Sequence, residues 1–374
     1  MNDALSAFLE ARGPVLALDI GSGTQDVLLA LPDSVPENWP RFVLPAPARR
    51  VAARVRALTE ARRPVWLCGS NMGGGFFQAV TDHLARGLPV AATLEASAAL
   101  HDDPDRVRAA GVTIADTRPD DHAPVFLSDY DPGFWNAFLS SAALPPPALV
   151  TAAAQDHGVH ADMGNREGRF RLWRELLARS EGEPARWLYA VPPAACTRLA
   201  SLSRAIGGGP TADTGAAAVL GALSMPEVAE RSDREGVLVV NVGNSHTLGF
   251  LVFRRRILGV YEHHTGLLST EKLLKDLDEF RRGWLPDEQV RAAGGHGCIM
   301  LDPPAEAEGF RPAFILHNMA EGGACIGVAL RTPDDKVDDT ELITHADKAL
   351  YRAKSSGRDR VCLYRPEDGP TARL

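Results

Sequence analysis

The pattern of apolar and polar positions along the chain predicts an alternation of strands and helices. Short apolar runs that end in glycine-rich or polar turns indicate buried strands, and the longer periodic stretches between them indicate helices. Strands are predicted at residues 15–18, 27–30, 64–68, 89–93, 125–127 and 148–154, and helices at 51–62, at 76–86 and from residue 170. This alternation predicts an α/β lobe.

The second half of the chain repeats the strand–turn–strand pattern with which the first half begins. Strands are predicted at residues 237–240 and 248–253 around the turn Asn241–Thr247, as they are at 15–18 and 27–30 around the turn Asp19–Asp26. A hairpin repeated about 220 residues later in the chain predicts two related lobes.

Length, charge and cysteine spacing narrow the class of protein. The chain has 374 residues, enough for two lobes and an appendage, and its net charge of −8 gives no reason to expect a nucleic-acid partner. It has neither a signal-peptide pattern nor an apolar run of 18 residues, so we expect a cytoplasmic protein with no membrane partner. No two of the five cysteines have C-x-x-C spacing, which argues against zinc-ribbon and iron–sulfur sites.

The first hairpin turn has the composition of a phosphate-binding turn. Backbone N–H groups can wrap a phosphate only where side chains are small. The turn offers such residues at Gly21, Ser22, Gly23 and Thr24. Asp19 and Asp26 flank it and are candidate Mg²⁺ ligands, because carboxylate oxygens suit this ion. The alternative is a glycine-rich turn that binds nothing.

The second hairpin turn has the same design with weaker metal ligands. Its candidate phosphate-binding residues are Gly243, Asn244, Ser245 and Thr247. Asn241 stands where an aspartate is usual, and it would bind Mg²⁺ more weakly because it lacks the charge. A plain turn is again the alternative, but two such hairpins suit one nucleotide held between two lobes.

Asp213 is the candidate catalytic residue. It precedes a small-residue helix predicted over 213–223, about 28 residues before the second hairpin. It could be a general base that orients a hydroxyl or a water for attack on a γ-phosphate. The alternative is an aspartate that only caps the helix.

Three further segments are candidate binding loops. Gly294, Gly295 and Gly297 could lie on the nucleobase side, or form an ordinary turn. A substrate pocket with arginines for an anionic group is predicted at Asp156, His157, Arg166 and Arg169. The loop 69–75 precedes a helix and could bind an anion, but it lacks the lysine of a P-loop, so a structural turn is equally favoured.

These motifs together resemble the actin, sugar-kinase and heat-shock-chaperone superfamily. Asp19–Thr24 resembles its first phosphate motif and Asn241–Thr247 its second. The segment Asp213-Thr-Gly-Ala-Ala resembles the Asp-Gln-Gln-Ala-Ala segment of carbohydrate kinases, whose aspartate is the catalytic base, although both glutamines are replaced here. The resemblance implies a two-lobed, actin-like ATPase fold of the ribonuclease H-like class, with ATP and Mg²⁺ as cofactors.

Residues from about 14 to 303 resemble a narrower prokaryotic family, labelled pyruvate formate-lyase activating enzymes. The segments that carry this resemblance are LALDIGSGTQDVLL, MGGG, HDDPDRVRAAGV, AAQDHGVHADMGNREGRFRLW, ADTGAAAVLGAL, NVGNSHTLGFLV and GGHGC. A radical activase needs cysteines spaced C-x₃-C-x₂-C, and this chain has no such spacing. We therefore do not expect radical chemistry.

The tail has a different character. Strands at 324–330 and 360–364 and a helix at 340–355 predict a C-terminal β-α-β appendage, and residues 346–361 resemble the end of a GGDEF diguanylate cyclase domain. The Gly-Gly-Asp/Glu-Glu-Phe signature is absent, so we expect no cyclase activity. The predicted organisation is an actin-like domain over 1–303, with lobes of about 14–205 and 206–303, a linker over 304–323 and a partial GGDEF-like fragment over 324–374.

The function expected from the sequence is that of an ATP-dependent kinase or ATPase. It would act on a small molecule or a protein partner that the sequence does not name. A rival expectation is a non-catalytic ATP-dependent switch. The asparagine at position 241 favours the switch, and Asp213 favours the enzyme.

Overall fold

The computed structural model describes residues 10–160, 164–317, 325–328, 348 and 360–363. Its strands are β1 Val15–Ile20, β2 Thr24–Ala30, β3 Arg41–Pro45, β4 Val65–Gly69, β5 Val90–Ala92, β6 Val112–Ile114, β7 Ala123–Leu127, β8 Leu149–Ala154, β9 Leu188–Tyr189, β10 Thr211–Ala212, β11 Val237–Val242, β12 His246–Phe253, β13 Arg256–His264, β14 Gly297–Met300, β15 Ala313–His317, β16 Cys325–Val328 and β17 Arg360–Leu363.

Helices connect most of these strands. They are α1 Pro47–Glu60, α2 Phe77–Ala85, α3 Leu94–Ser97, α4 Pro104–Ala109, α5 Pro132–Ser141, α6 Asn165–Ser180, α7 Thr197–Ala205, α8 Thr214–Leu223, α9 Pro226–Arg234, α10 Thr270–Arg281 and α11 Asp287–Ala292, with 3₁₀ turns at Pro36–Asn38, Pro184–Trp187, Thr265–Leu267 and Ala305–Ala307. Among the described residues, no helix combines the length and the apolar character that crossing a bilayer requires.

The chain divides into two compact units. Unit 1 comprises the described residues up to Val159 together with Tyr189–Thr214, and unit 2 comprises His160–Leu188 and the described residues from Gly215 onward. The lobes predicted at 14–205 and 206–303 follow the chain continuously. In the structure, by contrast, one segment of each unit lies within the sequence of the other.

Unit 1 is built on a six-stranded mixed sheet in the order β3-β2-β1-β8-β10-β9. β1 is antiparallel to β2 and parallel to β8, and β8 is parallel to β10. In the β1–β2 hairpin, Asp19 lies opposite Asp26. Leu16, Leu18 and Ile20 of β1 are buried, which explains the apolar run that predicts this strand.

A second, parallel sheet in unit 1 has the order β6-β5-β4-β7. Helix α1 begins at Pro47, where the fixed φ angle of proline suits a first helical position. Val51, Val55 and Leu58 recur at helical spacing on its buried face and share a core with Leu67 of β4. This sheet holds the loops that follow β4 and β7 in place beside the first sheet.

Unit 2 is built on a five-stranded sheet in the order β14-β13-β12-β11-β15. β11, β12, β13 and β14 are antiparallel neighbours, whereas β15 runs parallel to β11. Leu277 and Phe280 of α10 share a core with Tyr261 of β13. The sequence pattern did not predict β13 as a strand, although its residues are buried almost throughout.

The same arrangement therefore occurs in both units. In each, a three-stranded antiparallel meander is followed by a strand that returns parallel to the first, as β8 does beside β1 and β15 beside β11. This duplicated α/β architecture confirms the predicted fold class.

The segment 304–323, predicted to be a linker, contains part of the second sheet. β15 pairs along its length with β11, with Phe314 opposite Val239, and Phe314 is buried. The proline- and glutamate-rich residues before β15 suggested a linker, but they form the turn that returns the chain to the sheet. Unit 2 therefore extends beyond residue 303.

In the tail, β16 falls within the predicted strand 324–330 and β17 within the predicted strand 360–364. The two strands pair in parallel, with Cys325 opposite Arg360. Parallel neighbours require a crossover between them. The predicted helix at 340–355 lies outside the described residues, except for Lys348, which is helical.

Candidate functional site

The first hairpin turn is closed by its own backbone. The Gly21 N–H donates to the Thr24 carbonyl oxygen at 3.0 Å, between the paired strands β1 and β2. A β-carbon on Gly21 would lie only 3.0 Å from that same oxygen, so the turn favours glycine at this position. Ser22 and Gly23 complete the turn, so the candidate phosphate-binding residues lie together on it.

Three aspartates lie at the carboxyl ends of three adjacent parallel strands. Asp19 is near the end of β1, Asp156 follows β8, and Asp213 follows β10. This end of a parallel arrangement is where α/β sheets bind ligands. The predicted metal ligand Asp19 and the predicted base Asp213 are thus neighbours, although 194 residues separate them in the sequence.

The pKa of Asp19 lies far above its usual value. It is raised from 3.8 to about 7 by burial and, less strongly, by the negative charges of Asp26 and Asp213, while a Thr214 hydrogen bond and the Arg198 charge oppose the rise. The Thr214 hydroxyl donates to Asp19 Oδ1 at 3.0 Å. A buried acid beside two other carboxylates favours a cation, which would stabilise its ionised form.

Asp156 has a structural role at this edge. Its carboxylate accepts hydrogen bonds from the Gly158 N–H at 2.8 Å and from the Leu199 N–H at 2.9 Å. Its own backbone N–H donates to Asp213 Oδ2 at 3.2 Å. Burial raises the pKa of Asp156, and these hydrogen bonds oppose the rise. The predicted substrate residue therefore orients the predicted base.

Arg198, on α7, balances the charge of the aspartates. Its guanidinium bonds to both carboxylate oxygens of Asp129 at 2.7 and 3.0 Å and to the Gln155 carbonyl oxygen at 2.8 Å. Burial would lower the pKa of Arg198, but Asp129, Asp156 and Asp213 raise it above its usual value. Sequence reasoning missed Arg198 and Asp129, because no spacing or motif connects them.

The loop 69–75 packs against this ion pair. The Gly73 N–H donates to Asp129 Oδ1 at 3.3 Å, and the Asn71 side chain donates to the Thr197 hydroxyl at 3.0 Å. A β-carbon on Gly73 would lie 2.8 Å from Arg198 Nη2, so the guanidinium occupies the space that a side chain would need. These contacts support the structural alternative for this loop over an anion site.

Replacing Arg198 with alanine should strongly destabilise unit 1. The change leaves the buried Asp129 carboxylate without its partner and removes the positive charge nearest the aspartates. Breaking one side of a buried pair costs about 3–5 kcal/mol. Urea denaturation of Arg198→Ala measures this loss. The matched control is Arg204→Ala on the same helix, whose ion pair with Glu95 is exposed and which should cost less than about 1 kcal/mol. Equal losses in the two variants would contradict this role for Arg198.

The second hairpin turn in unit 2 repeats the geometry of the first. The Gly243 N–H donates to the His246 carbonyl oxygen at 3.0 Å, as Gly21 does to Thr24. When Gly243 is aligned with Gly21, Asn241 occupies the position of Asp19 and Leu248 that of Asp26. The second hairpin has therefore lost both carboxylates, so the candidate magnesium ligands are those of unit 1.

Thr265 fixes the second turn. Its hydroxyl donates to the Gly243 carbonyl oxygen at 2.8 Å, and its N–H donates to the Ser245 carbonyl oxygen at 2.9 Å. The Thr247 hydroxyl, predicted to face a phosphate, is buried and lies 3.1 Å from the Thr265 hydroxyl. The internal contact gives Thr247 a structural role, whereas Asn244 and Ser245 lie on the turn itself.

The predicted nucleobase-side glycines end α11 and begin β14. The Gly294 N–H donates to the Arg291 carbonyl oxygen and the Gly295 N–H to the Val290 carbonyl oxygen, both at 2.9 Å. Gly297 is buried, and a β-carbon there would lie 2.2 Å from Asp287 Oδ1. Helix termination and close packing thus account for these glycines without a ligand.

The two predicted substrate arginines differ in their surroundings. Arg169 is buried, donates to Glu262 Oε2 at 3.0 Å and stacks over the Trp173 ring, so its charge is neutralised inside unit 2. Burial would raise the pKa of Glu262, but Arg169 and the neighbouring histidines hold it well below its usual value. Arg169 therefore serves packing rather than an anionic substrate. Arg166 is exposed, and His157 is half-buried after Asp156.

The donor set of unit 1 fits a magnesium ion. Mg²⁺ prefers oxygen ligands and keeps several of its waters. Asp19 and Asp26 offer carboxylate oxygens on paired strands, and a divalent cation would offset both the burial and the neighbouring negative charges that raise the Asp19 pKa. Asn241 of unit 2 offers an uncharged amide oxygen only.

The fold has weak likenesses among solved structures. An exopolyphosphatase from Cytophaga hutchinsonii is similar at 9% identity and a TM-score of 0.27, over 81% of this chain and 66% of that one. A Ppx/GppA family member from Aquifex aeolicus is similar at 11% identity and a TM-score of 0.25, over 72% and 61%. The chain thus spans less than two thirds of the length of either structure. At these TM-scores neither assigns an activity to this chain.

The sequence itself matches a family. No curated protein matches it significantly. The profile of one family matches residues 72–316, which is more than half of the chain and ends within β15. It does not reach the tail, so the GGDEF resemblance there stays a prediction. The chain belongs to the family described as "Putative pyruvate format-lyase activating enzyme (DUF1786)".

Proposed function

We propose that the protein is a Mg²⁺-dependent nucleotide-binding enzyme that transfers or hydrolyses the γ-phosphate of ATP. The observation that carries this proposal is the meeting of Asp19, Asp156 and Asp213 at the ends of three adjacent strands, beside a glycine-rich hairpin turn. Phosphoryl transfer needs little from a protein beyond positioned charges, a metal ion and a group that orients the nucleophile. Unit 1 offers residues for each of these roles.

The surroundings of each residue in unit 1 indicate which of these roles it would have. Asp19 and Asp26 would hold Mg²⁺, which when bound neutralises charge on the phosphates. Backbone N–H groups of the turn Gly21–Thr24, other than that of Gly21, which donates to the Thr24 carbonyl oxygen, would face phosphate oxygens. Asp213, oriented by the Asp156 N–H, would accept the proton of the attacking hydroxyl or water. The acceptor is a small molecule or a partner protein.

A non-catalytic nucleotide switch is the second candidate. The observation that favours it is the loss of both carboxylates from the second hairpin, where Asn241 and Leu248 replace them. A switch needs nucleotide binding but no general base. The two candidates therefore differ in whether the protein turns over the ATP that it binds.

The proposal includes neither radical activation nor diguanylate cyclase activity. The family description names an activating enzyme, but this chain has no C-x₃-C-x₂-C spacing to hold an iron–sulfur cluster. The tail lacks the signature that a diguanylate cyclase uses, so we propose no cyclase activity for it. Formation of c-di-GMP from GTP by the purified protein would contradict this exclusion.

A thermal-shift screen of nucleotides, with and without Mg²⁺, tests the proposal. ATP at 100 times its dissociation constant should stabilise the protein by about 2.7 kcal/mol, and omission of Mg²⁺ should reduce the shift. ADP, GTP and pyrophosphate serve as comparison ligands that separate base recognition from phosphate recognition. No stabilisation by any nucleotide would remove the proposed function.

A further inference from the structure

The side-chain hydroxyl of Thr214 bonds to the carboxylate of Asp19. Thr214 begins α8, shortly after β10, and a threonine at the start of a helix commonly bonds to backbone groups nearby in the sequence. The Thr214 hydroxyl donates instead to Asp19 Oδ1 at 3.0 Å, and 195 positions separate the two residues. In the part of the chain that the structure describes, this hydroxyl makes no other hydrogen bond. The contact therefore serves the carboxylate rather than the helix.

This hydrogen bond distinguishes the two oxygens of the Asp19 carboxylate. Oδ1 accepts the Thr214 hydroxyl, whereas Oδ2 accepts no hydrogen bond from the residues that the structure describes. A hydrogen bond to one oxygen also limits the rotation of a carboxylate, which is how the partners of metal ligands orient them. Thr214 thus leaves Asp19 with one oxygen, Oδ2, available to a cation.

Two adjacent residues after β10 set the geometry of this part of the site. Asp213 accepts the Asp156 N–H through Oδ2 at 3.2 Å, and Thr214 donates to Asp19. The parallel pairing of β10 with β8 and of β8 with β1 fixes the strands that carry these contacts. One dipeptide therefore holds the candidate base and orients the candidate metal ligand.

The number of oxygens that a carboxylate offers matters for the choice between Mg²⁺ and Ca²⁺. Mg²⁺ requires short bonds in a nearly ideal octahedron, whereas Ca²⁺ has a larger and more flexible coordination shell that accepts one or both oxygens of a carboxylate. A carboxylate whose second oxygen is held by a hydroxyl loses the two-oxygen mode. The Thr214 contact therefore removes from Asp19 a way of binding that only the larger ion uses readily.

We propose that Thr214 is a positioning residue that makes the Asp19 site selective for Mg²⁺ over Ca²⁺. The inference rests on the proposed function, because it takes Asp19 to be a ligand of the ion that accompanies ATP. Thr214 holds Oδ1 and presents Oδ2 alone. Without the hydroxyl, the Asp19 carboxylate can rotate and offer both oxygens, an arrangement that Ca²⁺ tolerates better than Mg²⁺.

Calorimetric titration of the full chain with ATP, in saturating Mg²⁺ or in saturating Ca²⁺, measures this selectivity as the ratio of two dissociation constants. The wild type should bind the Mg²⁺ complex of ATP more tightly than the Ca²⁺ complex. Thr214→Val keeps the shape and removes the hydroxyl, so it should weaken binding of the Mg²⁺ complex roughly tenfold and binding of the Ca²⁺ complex less. Thr214→Ser should restore the wild-type ratio. Thr81→Val, at an exposed position on α2 where the hydroxyl donates to the Phe77 carbonyl oxygen, is the control and should keep that ratio.

Two results would overturn this role of Thr214 alone. One is a wild type that binds the two metal complexes of ATP equally well, a result that does not depend on any variant folding. The other is a Thr214→Val variant, with its folding verified by urea denaturation, that keeps the wild-type ratio. A purely structural contact predicts this second result, because it would weaken both complexes alike. A wild type whose ATP binding needs neither metal would instead remove the proposed function, and this inference with it.

Discussion

Asp213→Asn should lower ATP turnover by roughly 100-fold or more while leaving ATP affinity nearly unchanged. Asparagine has the shape of aspartate, and its amide oxygen can still accept the Asp156 N–H that Asp213 accepts at 3.2 Å. It cannot take a proton from an attacking hydroxyl or water. The loss should therefore appear in turnover and not in binding or folding.

Steady-state phosphate release and calorimetric ATP titration, measured on the same preparations, check this prediction. Asp82→Asn, a change of the same kind at an exposed position on α2, is the matched control and should match the wild type. If Asp213→Asn retains full turnover, Asp213 is a structural residue and another group is the base. ATP binding without turnover in the wild type would instead favour the switch over the enzyme.

Asp19→Asn should stabilise the metal-free protein at pH 8 and leave its stability at pH 4 almost unchanged. The folded-state pKa of Asp19 is raised by burial to about 7, above the 3.8 of the unfolded chain. Ionisation of Asp19 therefore does not lower the free energy of unfolding below about pH 4. It lowers this free energy progressively as the pH rises toward 7, and by a constant amount above pH 7. The full decrease is about 4 kcal/mol at most.

Urea denaturation of both proteins at pH 4 and pH 8 measures the effect, because comparison at each pH cancels the other titrating groups. Asp33→Asn, at an exposed position before β3, should show no such pH dependence. Mg²⁺ should stabilise the wild type at pH 8 and not Asp19→Asn. A variant less stable than the wild type at pH 8 would show that the Asp19 carboxylate is already compensated without a metal.

The fold was predictable where buried strands are short apolar runs. The β1–β2 and β11–β12 hairpins follow directly from such runs with glycine-rich turns between them. β13 was missed because charged and histidine residues interrupt its sequence, although packing in unit 2 buries them. β15 was missed because a proline- and glutamate-rich stretch precedes it. Only pairing with β11 identifies it as a strand.

The motifs of the candidate site could be predicted from the sequence, but the contacts that support these motifs could not. Asp19, Asp26 and Asp213 stand out because each adjoins a glycine-rich or small-residue segment. Arg198 does not, because an arginine in an ordinary helix has no distinguishing neighbours until the fold brings Asp129 to it. Arg169 is the opposite case. Its charge suggested a contact with an anionic substrate, but the buried carboxylate of Glu262 neutralises that charge.

Calorimetric titration of the wild type and of Asp19→Asn with ATP, each with and without Mg²⁺, tests the central claim most directly. The account predicts that Mg²⁺ strengthens ATP binding to the wild type and that Asp19→Asn loses this Mg²⁺-dependent part while remaining folded. Wild-type protein that binds no ATP, or ATP affinity that Mg²⁺ changes equally in both proteins, would contradict the assignment of the Asp19 hairpin as the metal–nucleotide site.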